Sequence, residues 1–158
     1  MKRTVRIFIW ITFIFYCLVL FWLLFIDLRV RFTSERISEH FSLSNFIPFK
    51  TIYTYIERAA SDRMNKGTAV MNILGNLVAF FPLGCYLPCM FKKMRSFIKV
   101  ILIILGIILT VELLQPILCV GFFDVDDIIL NLIGAFIGFL LVSIPPIKTL
   151  LQRLHIYS

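Results

Sequence analysis

Glu112, Gln115, Asp124, Asp126, Asp127 and Asn131 stand in a stretch, Leu109 to Phe139, that is otherwise apolar enough for a membrane interior. Carboxylates and amides cost several kcal/mol in hydrocarbon unless they face protein, water or a ligand. A chain that only had to span a bilayer would not keep them, so this cluster is the candidate functional site. Carboxylates in such surroundings can act as a general acid–base pair. With Asn72, Asn76 and Asn131 they can also offer oxygen ligands to Mg²⁺. Neither His40 nor His155 falls in the stretch, and no Ser or Cys there has an activating base beside it, which argues against triad hydrolysis. The candidate catalytic residues are Glu112, Asp124 and Asp127.

The elements that position these groups follow from composition. Of 158 residues, 60% are hydrophobic and 16% charged, against about 45–50% and about 25% in a soluble domain. This is an all-α integral membrane protein with room for one small bundle, a single domain over residues 1–158. The net charge of +7 does not imply nucleic acid, because the bases gather in short flanks of apolar runs rather than in one stripe. Cys17, Cys85, Cys89 and Cys119 lie in or beside apolar segments, where Cys acts as a small hydrophobe.

Four runs are long enough to cross about 30 Å of hydrocarbon as helices: Val5–Ile26, Ala69–Phe91, Phe97–Val120 and Ile128–Ile147. The first exceeds a signal-peptide core and lacks a small-residue cleavage site, so it reads as an uncleaved anchor. Lys2, Arg3 and Arg6, the Lys92–Lys99 connection, and Lys148 with Arg153 place both termini in the cytoplasm by the positive-inside rule. Asp27–Thr68, between the first two spans, is then an extracellular loop, as is the acidic Phe122–Asp127 turn. Within the longer loop, Phe41–Ile56 reads either as an amphipathic segment in the interface or as a cap over the bundle mouth.

From Lys99, Glu112 lies roughly 20 Å along its helix at 1.5 Å per residue, in the outer half of the bilayer. Asn72 and Asn76, Glu112 and Gln115, and Asp127 and Asn131 share faces at helical spacing. All converge on the outer leaflet. The Asp127–Asn131 stripe continues through Gly134 and Gly138, small residues that let a neighbouring helix approach. Asp126 falls off this stripe and is expected in solvent, and Asp124 and Asp127 are suited to cap their helix as well as to function. Pro116 frees the carbonyl of Glu112, and Pro82 with Pro88 predicts a bent or broken second span.

Four motifs then occur in series: Asn45-Phe46-Ile47-Pro48-Phe49, Asn76 through Phe80 to Pro82-Leu83-Gly84, Glu112-Leu113-Leu114-Gln115, and Asp124 through Asp127 and Asn131 to Gly134. Over about Ser44 to Leu141 the chain resembles the VanZ-like family. The resemblance implies a multi-pass membrane protein of the Gram-positive cell envelope, in a family whose namesake lowers sensitivity to the lipoglycopeptide teicoplanin. Many relatives carry an Arg shortly before the first motif aspartate; here that loop reads Val120-Gly121-Phe122-Phe123.

The expected function is glycopeptide resistance of the teicoplanin type through an outward-facing polar pocket. That pocket, formed by Asn45, Asn76, Glu112, Gln115, Asp124, Asp127 and Asn131, is expected to bind an amphiphile, either a lipoglycopeptide or a lipid-linked cell-wall precursor. The alternative is an intramembrane enzyme, metal- or acid/base-dependent, acting on a lipid-linked envelope substrate. The non-enzymatic reading is favoured, with membrane lipid as partner, no nucleic acid, and no cofactor or resident metal assigned. The inner halves of the spans offer no polar path, which argues against a transporter.

Overall fold

The computed structural model describes residues 3–25, 34–61, 65–154 and 156. Its long helices are α1 (Arg3–Phe25), α4 (Lys66–Met90), α5 (Phe97–Ile117) and α6 (Val125–Ser143), each long and apolar enough to cross a membrane. Between α1 and α4 lie two short helices, α2 (Ser34–Ser42) and α3 (Lys50–Ala60), and α7 (Pro145–Arg153) follows α6. Among the described residues no strand forms; Asn45 and Asp124 make one isolated parallel bridge.

The boundaries differ from the sequence expectation for local reasons. The fourth span stops at Ser143, four residues short of Ile147, because Pro145 forces the preceding Ile144 out of the helical region (φ −59°, ψ 127°) and then opens α7. The third stops at Ile117, and Cys119 turns the chain at φ 53°. The second starts earlier than Ala69, where the Asn65 side chain accepts from the Gly67 amide as a cap. Of the bend or break expected from its prolines, the break is not seen: α4 runs through Pro82 and Pro88 as one helix. Ile26, the expected end of the first span, lies outside the described residues, as does the loop from there to residue 33.

Packing centres on α6. In its most apolar 18-residue window 44% of residues are buried, against 6% for α1, which lies at the edge. The seam between α4 and α6 is built on glycine. A Cβ at Gly134 would overlap the Leu77 carbonyl, one at Gly138 the Phe81 carbonyl, and one at Gly84 the Ala135 carbonyl. Backbone thus meets backbone along the stripe that sequence spacing had marked. Helix α5 adds a row at every fourth residue, Val100, Ile104, Ile108, Glu112 and Pro116, all buried. Glu112 is therefore the next rung of the core ladder and not a lipid-facing residue. Helix α1 docks through Tyr16, whose hydroxyl donates to the Ala79 carbonyl at 2.7 Å.

The long helices alternate in direction. Trp10 packs edge-on against Phe91, and Thr4, Val5 and Phe8 share a cavity with Leu154 and Ile156. Both ends of the described chain therefore sit with the Lys92–Lys99 connection, at a basic end. At the other, acidic end, Gln115 reaches the Leu24 carbonyl at 3.3 Å, and α2 and α3 fold over the mouth.

Candidate functional site

The acidic end is organised by the start of α6. Asp124 is its N-cap: one carboxylate oxygen accepts from the Asp126 amide at 2.8 Å and from the Asn45 side chain at 2.9 Å, and the other from the Thr51 hydroxyl at 2.6 Å. Asn45 completes the tie through its backbone, donating to the Phe123 carbonyl at 2.7 Å and accepting from the Val125 amide at 3.0 Å.

Asp126 is wholly buried. Its carboxylate accepts the amides of Phe49, Thr51 (2.7 Å) and Ile52 (3.1 Å), so it caps the N-terminus of α3 from another helix. Four amides at a helix start have no partner of their own, and an anion there also meets the positive end of the helix dipole. The expectation that Asp126 lies in solvent is overturned for this reason: α3 supplies what water would have supplied.

The remaining groups face the bundle interior. Glu112 is 3% exposed, and one oxygen accepts the Asp124 amide at 3.1 Å. Asp127 accepts a hydrogen bond from the Asn76 side chain. One turn deeper, Asn131 is 2% exposed, and its side-chain oxygen is buried without a hydrogen-bond partner among the described residues. Above them Tyr55 of α3 reaches the Asn72 side chain, in the field of Asp127 and Asp124. Burial first, and then those two charges, push the Tyr55 hydroxyl above the ordinary phenol range, so it stays a neutral donor. Among the described residues no three of His, Cys, Asp and Glu are grouped to hold a metal ion. Three cavities of about 310, 280 and 370 Å³ lie elsewhere, and none is lined by an acid of the cluster.

Comparison with known proteins meets this geometry directly, because residues 13–147 match the family described as VanZ/LLP1. The chain belongs to that family. Protein VanZ of Enterococcus faecium is 30% identical over 91 residues, which make up 56% of this chain and 55% of that protein. The match thus spans about half the length of the curated relative. No solved structure matches the chain.

The VanZ/LLP1 match takes in all four motifs, and the fold draws them to one end of the bundle. Asn76, Glu112, Asp127 and Asn131 come from three spanning helices and lie toward the interior. Asn45 and Asp124 are bound to each other and hold the cap in place. Gln115 turns away from the acids, tying α5 to α1 and packing against Gly121. Asn72 is exposed at the rim.

Sequence reasoning misplaced Asp126 in solvent and missed Thr51, Ser44, Tyr55 and His40 as parts of this end. Ser44 accepts the Phe123 amide at 3.0 Å, and the His40 ring meets the Gly121 carbonyl at 2.7 Å. The available signal was the Pro48–Thr51 helix start, which has no capping side chain of its own.

Proposed function

We propose that this VanZ/LLP1 member is a multi-pass protein of the cell membrane that lowers sensitivity to lipoglycopeptides of the teicoplanin type. Its acidic end faces outward, and it acts by binding an amphiphile, the acylated drug or a lipid-linked cell-wall precursor, at Glu112, Asp127, Asn76 and Asn131. The observation that carries the reading is the meeting of these four groups, from three spanning helices, inside the family match. The orphaned Asn131 oxygen supports a ligand in particular, since a buried acceptor left without a partner is costly and rare. Basic flanks at the opposite end support the outward orientation.

The test is expression in a teicoplanin-sensitive Gram-positive host beside Glu112→Gln and Asp127→Asn forms matched for membrane level. Protection against teicoplanin but not vancomycin, lost in both variants, is the expected result. Both side chains keep their shape and an acceptor oxygen, so a purely structural role would leave protection intact. That outcome, or no protection by the native chain, overturns the reading.

A further inference from the structure

Helix α3 has three faces where a capping helix needs two. Thr51, Ile52, Tyr55 and Ala59 point toward the bundle and are at least partly covered. Lys50, Glu57 and Arg58 form an exposed polar face. Between them Tyr53 and Ile56 are 66% and 58% exposed, and the approach to the helix adds Phe46, Ile47 and Phe49 at 63%, 60% and 62%. Five large apolar side chains exposed on one loop and one helix face make a patch of the kind that marks a protein or membrane contact.

The fold holds this patch out. Phe49 adopts a left-handed backbone at φ 66°, a conformation L residues rarely take. It is fixed there because its amide is bound by the buried Asp126. Phe46 stacks on Phe123 with ring centres 4.9 Å apart, so the loop is anchored on one side while its apolar edge stays exposed.

We propose that the Phe46–Phe49 loop and the Tyr53–Ile56 face of α3 form a wedge seated in the headgroup–acyl boundary of a phospholipid leaflet, with Asp126 as its post. Continuity decides for lipid. Helix α3 packs on α4, whose adjoining first turns expose Val70, Met71 and Leu74, part of the surface that the bilayer covers around any spanning helix. Lys50 stands beside that face, where a long basic side chain reaches lipid phosphates, and Arg58 lies on the far side of the helix. A helix so divided lies in the interface plane with its apolar side about 5–10 Å into the boundary. The inference needs only a membrane setting and stands apart from any drug protection.

The experiment uses the full chain in phosphatidylcholine vesicles, on a Trp10→Phe, Trp22→Phe background, with one new tryptophan by Phe49→Trp, Ile56→Trp or Arg58→Trp. For the first two the expected result is blue-shifted emission, strong quenching by lipids brominated high on the acyl chain, and little quenching by acrylamide. Arg58→Trp should show the reverse ranking. Acrylamide quenching at all three sites overturns the wedge. So does shielding of Phe49→Trp and Ile56→Trp from both quenchers, which would mean that a protein surface, such as a second copy, covers the patch.

Discussion

Asp126 and Asp127 are adjacent in sequence and opposite in circumstance. Asp126 spends both oxygens on three amides of α3, and Asp124 beside it is nearly as fully engaged by Asn45, Thr51 and the α6 amide. Asp127 has the Asn76 amide, Glu112 has one backbone amide, and the Asn131 oxygen has no partner among the described residues. One side of the acidic end is closed by the protein on itself, and the other is left with acceptor capacity facing the bundle interior. The two acids are told apart here by their partners: Asp126 is closed off by the amides of α3, and Asp127 keeps acceptor capacity toward the bundle interior.

The comparison breaks most readily at Asp126. Asp126→Ala leaves three amides at the start of α3 without their acceptor, and hydrogen bonds to charged groups are each worth about 1.5–3 kcal/mol. A loss of about 4 kcal/mol is expected, less than the full sum because α3 can loosen and let water in. Thermal unfolding in detergent would show it, as would protease cleavage in residues 44–61, far from the substituted position. An unchanged melting temperature would mean that α3 is not held by Asp126.

Asp124→Ala should cost less, about 1–2 kcal/mol, the usual range for losing an N-cap. Thr51 and Asn45 lose a partner with it. Both can turn to each other, since Asn45 already donates to the Thr51 hydroxyl at 3.1 Å. If this variant kept its stability but lost drug protection, Asp124 would belong with Asp127, and the division drawn above would fall.

Much of this was legible in the chain. The Gly134–Gly138 stripe needed only helical spacing and the rule that small residues admit a neighbour. Placing the acids and amides at one end needed only span lengths and the sign of the flanks. Asp126 was not legible, because its partners are amides some 75 residues away (|i−j| 77, 75 and 74), and periodicity within α6 describes only what α6 presents, not what covers it. Pro82 and Pro88 do not break α4. Each removes one donor, but the turns around it keep theirs, and the close seam with α6 supports α4 along that length. The burial of Glu112 could have been read more strongly, since it continues the fourfold spacing of Val100, Ile104 and Ile108.

Asn131→Leu should have the smallest effect on stability and the opposite sign. The substitution removes a buried oxygen that has no partner and replaces the amide with an apolar group of similar volume. Such exchanges are near neutral or stabilising, so a gain of about 1 kcal/mol is expected in detergent. Protection in cells should fall at the same time, because the oxygen that the folded chain leaves unsatisfied is the one a ligand would engage. Stability and function would then move in opposite directions at one residue, as expected where a protein keeps a local defect for the sake of a site. A loss of stability instead would show that Asn131 is held by a partner such as an ordered water. The interior side of the acidic end would then be as closed as the side built on Asp126.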